Sequence, residues 1–311
     1  MDLGASVRDR LKQQFHEFGY DFHVLLTHYA LERLLYRLSR SKYRDQFLLK
    51  GALLFKLWYS DIIRSSMDAD LLGKGPKEIT GVEKIFRDLC DITVKPDGLV
   101  FLSRSVHGEE IRENSEYQGV RITLLAVLSG ARIPLQIDIG FGDAVIPSAK
   151  KVKYPVLMDF PAPSLKAYTI YTTISEKFQT IVDKGLANSR MKDYYDLWYI
   201  LRQSEIEGFI LSQALNATFK RRKTALSEGI PEGLDKAFCS NPIKQRQWIS
   251  FLKKNKPREI QTLVKAVDEI HAFIMPAVKN IVDKKPFHMV WCPGKGWLDV
   301  KKDSVKNRQL K

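Results

Sequence analysis

The spacing of apolar residues changes along the chain from a helical period to an alternating one and back. Apolar residues recur three and four positions apart over 5–18 and 23–40, which predicts two N-terminal α-helices. The run FLLKGALLFKLW at 47–58 is apolar almost throughout, so we expect it to be buried as a turn that leads into a short helix after Gly51. Residues 77–90 return to the helical period and predict a further amphipathic helix.

Strand-like stretches lie between these helices and a proline-rich connector. SMDADLLG at 66–73 predicts one strand, closed by the glycines and proline that follow. Three more are GLVFLSRSV, QGVRITLLAVL and RIPLQIDIGFG, and Ser129-Gly130 between the last two predicts a hairpin. Residues 144–163 contain four prolines and indicate a connector. The rest of the chain predicts helices at about 173–184, 189–203, 208–222, 242–254 and 258–284.

This layout predicts an α+β protein with two domains: residues 1–160, a mixed sheet with flanking helices, and residues 161–311, a helical bundle. Of the formal net charge of +14, the first part holds 23 basic and 21 acidic residues (+2) and the second 27 and 15 (+12). A basic half of this kind attracts polyanions, so nucleic acid is the expected partner. The alternative is a solvated surface tuned for solubility.

Several classes of protein are not expected. No apolar run approaches the ~18 residues of a membrane span, and the first residues have no signal-peptide pattern. Cys90, Cys239 and Cys292 are far apart and form no CxxC pair, which argues against a disulfide framework or a zinc site. A reducing cytoplasm is the expected location.

Asp68 and Asp70 form an Asp-x-Asp pair within the predicted strand. Side chains two positions apart point to the same face of a strand, so the two carboxylates lie close together and repel. A hard divalent cation such as Mg²⁺ removes that conflict. The alternative is a solvated strand edge without metal.

Asp138 is a third carboxylate in a strand-like run of alternating apolar residues. An isolated buried aspartate needs a compensating charge. A metal shared with Asp68 and Asp70 supplies one, and three such carboxylates suit nucleotidyl transfer. Pairing with Arg121 or Arg132 is the other explanation, and the sequence leaves both open.

Arg64 and Ser66 share the face of the Asp-x-Asp pair by the same alternation, which suits contacts to triphosphate oxygens. Gly51 begins a predicted helix, whose free backbone N–H groups can bind phosphate.

A second group of charged residues lies in ISEKFQTIVDKGLANSRMKDYYDLWYI. Asp193 and Asp196 are three positions apart and therefore share a helix face. Lys177 precedes them on another helix, and Lys192 can turn to either side. The functional interpretation is that Lys177 reaches phosphates while Asp193 orients a substrate or a lysine; the alternative is a surface salt-bridge pattern.

The stretches FLLKGALLFKLW…RSSMDADLLG, IDIGFGDAV, EKFQTIV…NSRMKDYYDLW and QWISFLKK, from about Phe47 to Lys254, resemble the AbiEii/AbiGii nucleotidyltransferase family. Its members are toxins of type IV toxin–antitoxin and abortive-infection systems and are related to the MenT toxins. The resemblance implies a DNA polymerase β-like nucleotidyltransferase core followed by a helical bundle. It also implies Mg²⁺-dependent transfer of a nucleoside monophosphate from NTP to RNA, with the tRNA 3′ end as expected acceptor, and a cognate antitoxin.

The resemblance implies roles for individual residues. The metal ligands are Asp68, Asp70 and, by a weaker correspondence, Asp138. The expected catalytic residues are Asp68, Asp70, Lys177 and Asp193. The expected nucleotide-binding residues are Gly51, Arg64, Ser66, Lys177 and Lys192. The family's Gly-Gly-Ser/Thr loop reads Gly51-Ala52-Leu53, without the hydroxyl. This departure leaves open an alternative: a catalytically degenerate nucleotidyltransferase fold that acts as an RNA- or protein-binding module.

Overall fold

A computed structural model of the protein describes residues 2–18, 21–60, 64, 66–114, 117–257 and 259–299. They form two compact units. The first contains the chain up to Asp143 together with Ala149–Tyr168. The second contains Ala144–Ser148 and the chain from Thr169 onward. The proline-rich connector therefore contributes to both units.

The first unit is a mixed sheet with helices. Its α-helices are α1 (Leu3–Phe18), α2 (Phe22–Arg40), α3 (Leu53–Tyr59) and α4 (Ile79–Cys90). Its strands are β1 (Phe47–Lys50), β2 (Asp68–Gly73), β3 (Leu99–Asn114), β4 (Tyr117–Leu128), β5 (Ala131–Phe141), β6 (Lys150–Lys153) and β7 (Ser164–Ala167). They pair in the order β3-β4-β5-β2-β1-β7-β6, with β2 parallel to β5 and β1 parallel to β7.

Most predicted elements of this unit are confirmed, and three strands are new. The Asp-x-Asp strand, the helix before Cys90 and the hairpin at Ser129-Gly130 are present. Both hairpin residues have positive φ, as a tight two-residue turn between twisted strands requires. The sequence interpretation was wrong for 47–50, expected as a turn and found as β1, and it missed β6 and β7 within the connector and just after it.

The two faces of the central strands differ in chemistry. Ala69 and Leu71 of β2 and Ile137 and Ile139 of β5 are buried on the face that packs with α2. Full burial of one such aliphatic side chain stabilises the fold by about 1.5–3 kcal/mol. The alternate residues of both strands lie on the opposite face, so the apolar core fixes which side the aspartates occupy.

The second unit is mainly helical. Its helices are α5 (Ile170–Lys184), α6 (Met191–Gln203), α7 (Gly208–Arg221), α8 (Lys236–Ser240), α9 (Pro242–Asn255) and α10 (Leu263–Val282). A small antiparallel sheet of β8 (Ile206–Glu207), β9 (Met289–Cys292) and β10 (Gly296–Asp299) accompanies them. This sheet was not predicted. Arg258 and the basic end of the tail, 300–311, lie outside the described residues.

The aromatic part of the tail packs within the second unit. Trp297 stacks on Phe273 of α10 at a ring distance of 5.7 Å, and its indole N–H donates to the Phe273 carbonyl. Trp291 is buried against the same ring. Among the helices that the structure describes, none has the length and apolarity needed to cross a membrane.

Candidate active site

A row of charged residues crosses the central strands of the first sheet. Lys50 of β1 lies opposite Asp70 of β2, which lies opposite Asp138 of β5. Asp138 in turn lies opposite Arg121 of β4, which lies opposite Glu109 of β3. Residues that face each other across paired strands project to the same side of a sheet. The strand register therefore gathers these side chains on the face away from the α2 core.

Three carboxylates converge at the centre of this row. Each of Asp68, Asp70 and Asp138 is partly exposed and offers an oxygen, and these atoms lie within 4.8 Å of one another. The three residues come from two parallel neighbouring strands, so the sheet itself sets their spacing. The fold thus brings together all three predicted metal ligands.

Asp138 also has an arginine partner. Arg121 donates from Nε to Asp138 Oδ1 at 2.8 Å and from Nη2 to Oδ2 at 2.9 Å. This bidentate geometry is the strong form of a charge-assisted hydrogen bond. The pairing with Arg121 is thus confirmed, and the shared metal stays a prediction that the closeness of Asp138 to Asp68 and Asp70 permits. Hydrogen bonding to Asp138 raises the pKa of Arg121 above its ordinary value.

Ser66 connects the cluster to the core through a histidine that the sequence did not single out for the site. The Ser66 hydroxyl donates to Asp68 Oδ1 at 2.8 Å. The Ser66 carbonyl lies 2.9 Å from Nε2 of buried His28, which must donate this hydrogen bond. Burial and, next, the charge of Lys56 lower the pKa of His28 to about 4, so its ring is neutral at pH 7. His28 thus holds the backbone just before the Asp-x-Asp pair.

Gly51 is packed against the carboxylate of Asp70. Its φ is +73°, in the left-handed region, and a Cβ at this position would overlap the Asp70 side chain. Only glycine tolerates both conditions without strain. Leu53, at the position where the resemblance leads us to expect a hydroxyl, is 2% exposed and lies in the core. A hydroxyl on that side chain would be buried as well.

Lys50 and Asp143 form an ion pair beside the carboxylates, and the sequence interpretation missed both. Lys50 Nζ lies 2.9 Å from Asp143 Oδ2 and 5.5 Å from the ring centroid of Tyr168. One signal was available, because a lysine within the apolar run of β1 needs a partner. The partner is 93 positions away, so the sequence could not identify it.

The second group of charged residues is assembled within the second unit. Lys177 Nζ on α5 lies 2.9 Å from Asp193 Oδ1 and 2.7 Å from Asp196 Oδ2 on α6. Arg190 Nε donates to Asp193 Oδ2 at 2.7 Å. Burial by itself raises the pKa of Asp193, but Lys177 and Arg190 outweigh it and hold that pKa well below its usual range. The two aspartates share a helix face and fix one ammonium between them.

The remaining predicted site residues have simpler environments. Arg64 is buried just before Ser66. Lys192 is half-buried on α6 and is not one of the residues that hold Lys177. Lys177 and Lys192 belong to the second unit, whereas the carboxylate cluster belongs to the first.

The geometry of the sheet and comparisons with known proteins define the class of this chain. Residues 33–278 match the family described as "Nucleotidyl transferase AbiEii toxin, Type IV TA system". The chain therefore belongs to the AbiEii family of nucleotidyltransferase toxins of type IV toxin–antitoxin systems. This confirms the resemblance inferred from its motifs.

Two crystal structures of Helicobacter pylori proteins match this chain. A putative nucleotidyltransferase is 16% identical with a TM-score of 0.47, and the match covers 83% of this chain and 95% of that one. The protein JHP933 has the same identity and TM-score, with coverage of 83% and 92%. No curated protein sequence matches this chain.

Proposed function

We propose that the chain is a Mg²⁺-dependent nucleotidyltransferase that moves a nucleoside monophosphate from an NTP to an RNA acceptor, the 3′ end of tRNA. The observation that carries the proposal is the convergence of Asp68, Asp70 and Asp138 on one face of a sheet, with carboxylate oxygens within 4.8 Å. Family membership supports the reaction class. The acceptor rests on the resemblance and on the basic second half of the chain, and the toxin family implies an antitoxin as counterpart.

The donor set fits magnesium. Its side-chain ligands are carboxylate oxygens only, which hard cations prefer, and Asp68 is oriented by the Ser66 hydroxyl rather than left to rotate. Arg121 offsets the charge of Asp138, so the cluster does not rely on metal for all of its compensation. Bound Mg²⁺ would supply Lewis-acid stabilisation of phosphate charge and would lower the pKa of a coordinated hydroxyl.

The transfer is an in-line displacement at phosphorus. A hydroxyl oxygen of the acceptor bonds to the α-phosphorus, the bond from that phosphorus to the bridging oxygen breaks, and pyrophosphate leaves with the electron pair. The hydroxyl proton passes to water. The family resemblance assigns to Arg64 and Lys177 the role of neutralising phosphate charge, and within the second unit Asp193 holds the ammonium of Lys177 at a fixed position. Fixed charges of this kind stabilise a transition state without reorganising.

A degenerate site that only binds RNA or protein is the competing function. Its main support was the hydroxyl missing at position 53. Because Leu53 lies in the core, a side-chain hydroxyl there would not face the carboxylates, so its absence weighs less against catalysis. The competing function predicts binding without turnover.

The test is incubation of the protein with tRNA, Mg²⁺ and each α-³²P-labelled NTP in turn. We expect label on tRNA with wild-type protein, at least a hundredfold slower transfer with Asp68→Asn, and none after chelation of the metal. Asp159→Asn is the matched control, because the Asp159 side chain is 99% exposed. Label on a protein band would assign a protein acceptor. Undiminished transfer by Asp68→Asn, or binding of tRNA without transfer of any nucleotide, would refute the proposal.

A further inference from the structure

The side chain of Lys50 leaves the sheet on the carboxylate face. Lys50 is the last residue of β1 and lies opposite Asp70 in the strand register. Gly140 provides an independent check, because it lies two residues after Asp138 on β5 and shares its face. A Cβ built on Gly140 would be 3.8 Å from Lys50 Nζ. The ammonium therefore lies over the same face as the proposed metal ligands.

The ammonium of Lys50 is held in place and still reachable. The Asp143 side chain that pairs with it is 2% exposed, whereas the Lys50 side chain keeps 16% exposure. The Tyr168 ring lies 5.5 Å from Nζ, a distance at which a ring face attracts a cation. An ammonium has three N–H donors, so a partner on one side does not use up its capacity.

We propose that Lys50 binds the phosphates of the incoming nucleotide and that Asp143 is the positioning residue for its ammonium; this inference rests on the nucleotidyltransferase function proposed above. Lysine binds phosphate as a point charge and does not need the planar geometry of arginine. The Lys50 ammonium lies beside the proposed metal ligands, where it can attract the negative charge of a triphosphate. Lys50 immediately precedes Gly51, which is packed against the Asp70 carboxylate, and Lys50 itself lies opposite Asp70 in the strand register.

A purely structural ion pair is the competing explanation, and the two explanations differ in what a double substitution does. Lys50→Met alone removes the ammonium partner of the buried Asp143 carboxylate, which destabilises a protein whatever the pair is for. Lys50→Met combined with Asp143→Asn removes both charges of this pair. If the pair were only structural, the double variant would recover normal nucleotide binding.

The experiment is isothermal titration of the full-length protein with each NTP and with inorganic tripolyphosphate, at fixed Mg²⁺, alongside a thermal unfolding scan of every variant. We expect the double variant to unfold near the wild-type temperature yet to bind the best NTP and tripolyphosphate at least about tenfold more weakly. Asp143→Asn alone keeps the Lys50 ammonium and removes the carboxylate that positions it, so its nucleotide affinity should fall less than that of the double variant. Lys50→Arg keeps the charge and should lie between wild type and the double variant.

The control pair is Lys166 with Asp45, which are 2.8 Å apart and also belong to the first unit, with side chains 44% and 60% exposed. Removing both of these charges should leave nucleotide affinity unchanged. Wild-type affinity in the Lys50→Met/Asp143→Asn variant would overturn this inference and leave the proposed function standing. A wild-type protein that binds no NTP at all would overturn both.

Discussion

Replacing Lys177 by methionine removes a charge from between two carboxylates that have almost no contact with water. The side chains of Asp193 and Asp196 are 2% and 0% exposed, and both lie within 2.9 Å of Lys177 Nζ. Methionine keeps the apolar stem of lysine and loses the ammonium. Asp193 would then keep Arg190, whose Nε is 2.7 Å from Asp193 Oδ2.

The expected cost follows from burial. Removing one partner of a buried ion pair destabilises a protein by about 3–5 kcal/mol, because the remaining charge has neither water nor a counter-ion. Since Arg190 still compensates Asp193 in part, we expect the lower end, about 3 kcal/mol. That is a large share of a typical unfolding free energy of about 5–15 kcal/mol.

The pH dependence gives the sign of the same effect. The pKa of Asp193 is lower in the folded than in the unfolded state, so its contribution to stability is present above pH ~4 and is lost as pH falls through the folded value. Without Lys177 the buried carboxylates bind protons more readily, and the advantage of ionisation disappears. The Lys177→Met variant should therefore lose most stability at neutral pH and come closer to wild type in acid.

The measurement is urea unfolding followed by circular dichroism at 222 nm and by tryptophan fluorescence, at pH 7 and pH 4.5. Lys177→Met/Asp196→Asn should recover part of the loss, and Lys220→Met, at an exposed position on α7, should change little. A loss below about 1 kcal/mol at pH 7, or an equal loss at both values, would show that the cluster is not desolvated as described. Catalytic effects of Lys177 variants can be interpreted only beside these unfolding data.

Three further outcomes concern the first unit. His28→Met removes the donor to the buried Ser66 carbonyl, so we expect the free energy of urea unfolding to fall by about 1–3 kcal/mol and the transfer to become slower. The pKa of His28 is about 4 in the folded protein, below its ordinary value of ~6.5. As pH is lowered from ~6.5, the free energy of unfolding of the wild type should therefore decrease, by at most about 1.4 kcal/mol per pH unit from this group. The His28→Met variant should lack that contribution. Gly51→Ala should lower the free energy of unfolding in urea by about 2 kcal/mol or more, because a Cβ there displaces the Asp70 carboxylate. For the same reason, Mg²⁺ should raise the unfolding temperature of this variant by less than that of the wild type.

The sequence could predict contacts that follow from local periodicity. Strand alternation placed Asp68 and Asp70 on one face, and Ala69 between them is buried on the other. The helical period placed Asp193 and Asp196 on one face, where both contact Lys177. In each case the decisive information lies within a few residues of chain.

Contacts set by register between distant strands could not be predicted. β1 has only four residues and is apolar up to its last position, so it shows no alternation and was interpreted as a turn. Its parallel partner β7 lies more than a hundred residues later, just after a proline-rich stretch. The same limitation concealed the hydrogen bond from His28 to Ser66, 38 positions apart, because a lone histidine in a helix is most often structural.

Each charged constellation is compensated by groups of its own unit. In the first, Arg121 pairs with Asp138 and Asp143 pairs with Lys50; in the second, two aspartates hold Lys177. Groups that already have partners lose little entropy when a substrate arrives, which is the condition for preorganised electrostatic stabilisation. Because the partners named here belong to the same unit as the groups they compensate, we expect the two constellations to contribute independently to stability, as substitutions without shared partners usually add in free energy. Lys177→Met should therefore lower the free energy of unfolding by the same amount in the Asp68→Asn background as in the wild-type background. A different amount would show that the two groups are coupled in the free protein.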